Sequence, residues 1–178
     1  ETGMVAWLAI EWKRDGHATT LGGASGVVAG LVAITPAAGF VGGLAPIVFG
    51  FVASAACYFA IQLKTKYGYD DSLDVVGIHM VGGIVGGVLL GFFADASIGG
   101  VDGAFFGDGG LVVSQIIAIV SVMIYSFIVT FGIAKALDAT VGLRVSSDEE
   151  LTGLEDMAWA KRALSLIHIS EPTRQHAI

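Results

Sequence analysis

A single histidine within a long apolar stretch is the side chain of this sequence best suited to chemistry. The segment from Val75 to Phe93 has 19 residues, and only His79 among them can titrate. An ionisable side chain inside an apolar segment of membrane length is costly, so it indicates a functional site. A neutral imidazole both donates and accepts hydrogen bonds, as a proton relay requires. The alternative, a core histidine bonded to a neighbouring carbonyl, stays open at this point.

The residues that precede this stretch predict how its helix begins. Asp70, Asp71, Ser72 and Asp74 come directly before the apolar run. Acidic side chains and serine at a helix N-terminus bond to free backbone N–H groups and complement the helix dipole. We therefore expect Asp74 to fix the start of the helix that presents His79, rather than to bind substrate directly.

Glycines at regular spacing predict where the helices contact one another. Gly83, Gly87 and Gly91 recur every four residues, and Gly82 and Gly86 stand beside them. Small residues at this spacing allow helix backbones to approach closely. Gly82 and Gly83 lie three and four residues after the histidine, so they share its face of the helix. That face should meet protein or a lumen rather than lipid.

Composition indicates the kind of elements that position these residues. The chain is 54% hydrophobic and 14% charged, has 26 glycines among 178 residues, and has a mean hydropathy of +0.78. These values are typical of closely packed membrane helices rather than of a soluble domain. The sequence has no phosphate loop, no nucleophile elbow, no histidine pair at metal-binding spacing and no basic stripe for nucleic acid. We therefore expect neither an enzyme nor a cofactor, a metal or a nucleic-acid partner.

Uncharged runs predict four complete membrane spans. Residues 21–63 contain no charged residue and no histidine over 43 positions, which is long enough for two spans joined by a tight turn at residues 35–43. The third and fourth spans are predicted at Leu73–Ala94 and Leu111–Ala134. Met4–Ile10 is interpreted as the end of a further helix. The predicted fold is an all-α, polytopic membrane helix bundle with the end of one span and four complete ones.

Basic residues predict the orientation of the bundle. Alternating crossings place six of them on one side, and the opposite loops, 35–43 and 95–110, have no lysine or arginine. The six are Lys13, Arg14, Lys64, Lys66, Lys135 and Arg144. By the positive-inside rule this side, and with it the C-terminus, is cytoplasmic. The acidic 95–110 loop is either a solvated connector or an outer vestibule that attracts cations.

Three blocks of this sequence resemble the ammonium transporter (Amt/Mep/Rh) family, in its Amt branch. They are Leu21–Val41, the stretch DDSLDVVGIHMVGGI at residues 70–84, and Gly142–Val145. The resemblance covers roughly residues 3–160. It implies a C-terminal fragment of an eleven-helix subunit, from the end of the seventh helix to the eleventh. It also implies a multi-pass protein of the cytoplasmic membrane that forms a homotrimer with one pore per subunit.

The same resemblance assigns roles at the histidine. In this family two histidines from different helices face each other in a narrow apolar pore, and His79 matches the second of them. The first would lie on an earlier helix, outside this sequence. Val75, one turn earlier, is then expected to line the pore, and Asp74, Gly82 and Gly83 to support the pore helix. The implied activity is transport of ammonium or ammonia, with the proton removed from ammonium before the neutral molecule passes.

The end of the chain departs from the family pattern. Residues 3–145 are the predicted transmembrane part and residues 146–163 the predicted cytoplasmic tail. In that tail Gly153–Leu164 lacks the His-Gly-Glu and Tyr associated with docking of a PII-type nitrogen regulator, which argues against that partner. The run that begins at Leu164 resembles a translated sequencing adapter, so residues 164–178 are predicted to be non-native.

Two other functions compete with a transporter. A membrane ammonium sensor would signal through its cytoplasmic tail and move little substrate. A gas channel of the Rh branch would pass ammonia or carbon dioxide, although residues 21–41 look more similar to the Amt branch.

Overall fold

The computed structural model describes residues 1–146 and Glu150, and every regular element in this part of the chain is helical. The predicted tail at residues 146–163, apart from Ser146 and Glu150, and the predicted non-native segment at 164–178 lie outside the described residues. In chain order the elements are α1 (Thr2–Asp15), α2 (Thr20–Ile34), a 3₁₀ turn (Thr35–Ala37), α3 (Ala45–Tyr67), a π-helical turn (Val76–Met80), α4 (Val81–Phe93), α5 (Ala96–Gly99), a second 3₁₀ turn (Ala104–Phe106) and α6 (Gly110–Thr140).

Four helical segments of the described chain are long and apolar enough to cross a membrane, in agreement with the sequence. They are Thr20–Ala37, Ala45–Tyr67, Val76–Phe93 and Gly110–Thr140, with mean hydropathies between 1.5 and 2.0 for the first three and 2.5 for the last. The third begins three residues later than expected. The last continues six residues past the predicted end at Ala134, because no helix-breaking residue follows the uncharged run.

Local signals account for the ends of these helices. Gly16 and Gly68 end α1 and α3 in the left-handed conformation, with φ of 81° and 68°, which glycine adopts without strain. Thr19 begins α2, and its Oγ1 accepts the Gly22 N–H at 2.9 Å. Pro46 stands in the first turn of α3, where its missing N–H is not needed.

Residues 1–124 form one compact unit. Its buried apolar residues fall into two clusters. One is Trp7, Ala29, Cys57, Tyr58 and Ile78, and the other is Ala37, Ala45, Phe49, Leu90 and Ala94. Fully buried Ser54 of α3 donates its hydroxyl to the Gly3 carbonyl of α1 at 2.7 Å and to the Gly26 carbonyl of α2 at 3.2 Å. In the second unit, which begins at Tyr125, Phe127 stacks on Phe131 and Arg144 pairs with Glu150.

One end of the first unit gathers several charged side chains. There the Tyr58 hydroxyl donates to the Asp15 carboxylate at 2.7 Å, which joins the ends of α1 and α3. The Arg14 guanidinium lies 5.9 Å from the Tyr58 ring centroid. Lys64 pairs with Asp74 at the same end, where α3 stops and the next span starts. The cations of α1 and α3 therefore share one end of this unit.

The loop between α4 and α6 is built around its three carboxylates. Asp95 accepts the Ser97 N–H, Asp102 accepts the Ala96 N–H, and Asp108 accepts the Gly110 N–H, each at 2.8 Å. The loop is also joined to the preceding turn by the Asp95 N–H, which donates to the Phe40 carbonyl at 2.9 Å. These acids thus have structural partners.

Candidate functional site

His79 lies in the π-helical turn that begins the third complete span. Gly77 and Ile78 of this turn are buried, whereas His79 and Met80 are exposed. Val75, directly before the turn, is 51% exposed. The turn therefore packs one side against the bundle and presents the imidazole on its open side. Single π turns within helices are rare and are frequent at functional sites.

Asp71 holds the start of this segment. Its carboxylate accepts the backbone N–H groups of Val75, Val76 and Gly77 at 2.8, 3.0 and 3.3 Å. These are N–H groups that a helix start leaves without an intrahelical partner. Among the acids that the sequence predicts to cap this helix, Asp71 rather than Asp74 accepts these N–H groups, and its side chain reaches forward to them along the chain.

Asp74 has a different role in the structure. Its φ is 55°, and it is the one non-glycine residue with positive φ in the described chain. Its carbonyl accepts the Ile78 N–H at 2.8 Å, and its Oδ1 accepts a hydrogen bond from Lys64 Nζ at 2.5 Å. Asp74 therefore joins the turn that carries the histidine to the end of α3. This contact of Lys64 has no signal in the sequence, because its side chain meets the turn across the connection between the two helices.

The glycines of α4 divide between two neighbours. A Cβ at Gly86 would lie 2.1 Å from the Ala33 carbonyl oxygen of α2, and one at Gly82 would lie 3.3 Å from a methyl of Val32. On another side, a Cβ at Gly91 would lie 2.8 Å from the Val112 Cα of α6. Glycine thus lets α4 approach both helices closely.

Gly83 behaves differently from its neighbour Gly82. A Cβ at Gly83 would meet no atom within 4 Å, whereas Gly82 is buried against α2 and α3. The two glycines predicted to share the face of His79 therefore have different surroundings. Gly82 supports the helix through packing, and Gly83 has open space beside it.

Two cavities adjoin this segment within the first unit. One of about 330 Å³ lies between α4 and α6, with Met80 and Gly83 in its lining, while His79 lies outside it. The other, of about 510 Å³, includes Glu11, Asp15 and Asp74. These carboxylates are already engaged, since Glu11 accepts two hydrogen bonds from Thr19, and the other two are bonded as described above. Within the described residues, no group of three histidine, cysteine or acidic residues lies close enough to hold a metal.

The site thus contains one exposed imidazole in the first turn of an apolar span, on a segment that packs against the bundle through Gly77 and Ile78. Its segment is fixed at the start by Asp71 and Asp74 and farther along by Gly82 and Gly86. An imidazole held in this way can exchange hydrogen bonds or a proton with a small molecule that passes along the open side. No described residue provides a second imidazole to face it.

Comparison with known proteins identifies relatives over most of the chain. The model of the Ammonium Transporter Family matches residues 1–164. An ammonium transporter of Aquifex aeolicus is 51% identical over 151 residues, which are 84% of this chain and 36% of that protein. An ammonium transporter of Bacillus subtilis is 45% identical over 156 residues, 86% of this chain and 39% of that protein. The chain therefore spans well under half the length of these relatives.

The fold is also found among solved structures. The crystal structure of Saccharomyces cerevisiae Mep2 matches with a TM-score of 0.77 and 36% identity, over 83% of this chain and 35% of that one. Candida albicans Mep2 gives the same TM-score at 35% identity, over 83% of this chain and 34% of that one. The helices described above thus follow the arrangement of part of those proteins.

Proposed function

We propose that this chain, which belongs to the ammonium transporter family, forms part of the pore of an ammonium-transporting subunit, and that His79 lines the conducting path. Family membership supports the substrate class. The observation that carries the choice of residue is the exposure of an imidazole within an apolar span, on a turn that packs through Gly77 and Ile78 and is capped by Asp71. Intramembrane ionisable residues commonly mark substrate or proton pathways.

The physics of the substrate favours a path that conducts ammonia rather than the bare ion. An unpaired ammonium ion in an apolar channel has a large desolvation cost, and neutral ammonia has a much smaller one. Transfer of a proton from ammonium to an imidazole leaves neutral ammonia, which has a lower barrier to passage through the apolar channel. In this proposal His79 exchanges hydrogen bonds with ammonia, Val75 forms the apolar wall one turn away, and a second histidine faces His79 from a part of the subunit outside this chain.

The chain length relative to its relatives supports a larger assembly. Because the chain covers 36% and 39% of the two bacterial transporters, we propose that it is a portion of a longer subunit, and the resemblance of its sequence blocks favours the C-terminal portion. The subunit would form a homotrimer in the cytoplasmic membrane. The shared location of Lys13, Arg14, Lys64 and Lys66 at one end supports a cytoplasmic orientation of that end.

The proposal for the tail follows from its sequence. The resemblance of residues 164–178 to a translated sequencing adapter supports a non-native origin for them. Since the tail departs from the pattern associated with a PII-type regulator, we propose that such a regulator does not dock on this chain. Membrane ammonium sensing remains the competing function, and the experiment below separates the two.

Ammonium-evoked current tests the role of His79. The full-length subunit is reconstituted on a supported membrane, and His79→Ala is compared with wild type. His17→Ala is the matched control, because His17 is exposed in the connection between α1 and α2 and bonds only the nearby Asp15 carbonyl. We expect His79→Ala to lower the current at least about tenfold, as loss of a proton-transfer group does in other sites, and His17→Ala to leave it unchanged.

The other outcomes identify the alternatives. A wild-type protein without current that still produces an ammonia-driven pH change in vesicles conducts the neutral gas. A folded trimer with neither signal is a sensor. Equal currents from wild type and His79→Ala would remove His79 from the conducting path.

A further inference from the structure

One face of α3 lies against the turn that carries His79. Cys57, Ile61 and Lys64 follow one another at intervals of four and three residues, so they form a single stripe on this helix. Each member contacts a different part of the chain between Asp71 and Ile78.

The first two members hold the turn by close packing. Cys57 Sγ donates to the Ile78 carbonyl at 3.5 Å, and both residues are buried. A Cβ at Gly77 would lie 3.2 Å from the Ile61 Cα, so the two backbones approach closely at this point. The residues just before His79 are therefore pressed against α3. These two contacts do not reach the residues before Gly77, where the segment starts.

Lys64 supplies the contact at that start. Its Nζ donates to the Asp71 carbonyl at 3.1 Å and to Asp74 Oδ1 at 2.5 Å. It thereby holds both the residue that caps the turn and the residue with left-handed backbone. A left-handed conformation at a non-glycine residue is unfavourable in isolation and persists where surrounding contacts maintain it.

We infer that Lys64 is a positioning residue for His79: through Asp74 and Asp71 it sets the rotation of the π-helical turn and so the direction of the imidazole. This inference rests on the proposed function of His79 in the pore. The side chains of the pair are 29% and 28% exposed, and ion pairs with such access to solvent contribute little to stability. The effect of Lys64 is therefore expected in the placement of the imidazole rather than in the amount of folded protein.

The test compares four variants of the full-length subunit. Lys64→Met removes the charge and keeps the apolar stem, and Lys64→Arg retains donors that reach both acceptors. Asp74→Asn removes the negative charge while asparagine still tolerates positive φ. Lys66→Met is the matched control, because Lys66 belongs to the same turn of α3 and its Nζ lies over the Tyr67 ring instead. The transport rate per folded trimer and the position of the His79 ring by electron cryomicroscopy are measured for each.

We expect Lys64→Met and Asp74→Asn to lower transport per trimer by about tenfold, within the range caused by misplacing a reacting group by about 1 Å. Lys64→Arg should restore most of the rate, and Lys66→Met should match wild type. The His79 ring should be displaced in the two slow variants and not in the two fast ones.

Two results would overturn the inference. One is a transport rate for Lys64→Met equal to that of Lys66→Met, and the other is a slow variant whose His79 ring is undisplaced. If Lys64→Met yields no trimer, Asp74→Asn decides by the same criteria. His79→Ala in the same series separates the two proposals: if it transports normally, the proposed function fails, and if it alone is slow, only the role of Lys64 fails.

Discussion

Replacing Gly86 with alanine tests the close approach of α4 to α2. The added Cβ would lie 2.1 Å from the Ala33 carbonyl oxygen and 2.7 Å from the Ala33 Cα. Both atoms belong to backbone, so no side-chain rotation can relieve the overlap. The two helices would have to separate by about 1 Å, in an interior that is packed as closely as an organic crystal.

The size of the effect follows from two opposing contributions. Alanine favours a helix over glycine by about 1 kcal/mol, and overpacking costs about 1–3 kcal/mol. Gly82→Ala is the matched control, since it makes the same substitution in the same helix on a face that also meets α2. Its Cβ would lie 3.3 Å from a Val32 methyl, which can move. Because the helix-propensity gain is common to both variants, their difference isolates packing, and we expect Gly86→Ala to be less stable by about 1–3 kcal/mol.

The assay is unfolding of the full-length protein in mixed micelles by increasing denaturing detergent, followed by circular dichroism. Wild type, Gly82→Ala and Gly86→Ala are measured side by side, and the midpoints are compared at equal protein concentration. A Gly86→Ala midpoint equal to that of Gly82→Ala would refute the close approach of the two backbones at this position.

Two further predictions concern single side chains. Ser54→Ala removes the hydroxyl that joins α3 to the Gly3 and Gly26 carbonyls. In the same micelle assay it should lower the free energy of unfolding by about 1 kcal/mol. Ser114→Ala is the control and should not lower it, because the Ser114 hydroxyl bonds within its own helix. In the loop between α4 and α6, the Ser97 hydroxyl and backbone N–H hold the pKa of Asp95 below its ordinary value. This carboxylate therefore stabilises the fold above its unfolded pKa and loses that contribution as the pH falls through the lower folded pKa. Ser97→Ala should raise the pKa of Asp95 in an NMR titration. An unchanged pKa would contradict the assignment.

The spans could be predicted from the sequence because hydropathy depends on composition along the chain and not on contacts. Most ends of the four complete spans lie within a few residues of the predicted bounds. The glycine spacing of α4 likewise predicted close contacts, and Gly82 and Gly86 make them with α2. The open side at Gly83 could not be predicted, since two adjacent glycines look alike in a sequence until the phase of the helix is known.

The start of the histidine segment shows why the remainder could not be predicted. Asp70, Asp71 and Asp74 all precede the span, and each has the chemistry of a cap. Which one bonds the free N–H groups depends on the path of the backbone, and the positive φ of Asp74 changes that path. The contact with Lys64 joins residues ten positions apart across a helix connection, so it depends on the relative rotation of two helices.

The π-helical turn allows the number of residues in this segment to change without a shift of its two ends. Its hydrogen bond runs from the Val81 N–H to the Val76 carbonyl, which places one residue more in this turn than an α-helix would hold. The contacts before it, at Lys64, and after it, at Gly86, fix the two ends independently. Deletion of one residue could therefore convert this turn to an α-helical one, with both ends in register, while the side chain presented on the open side would rotate by about 100°. In evolutionary terms, a deletion here would exchange the residue at the position of His79 and keep the contacts at Lys64 and Gly86.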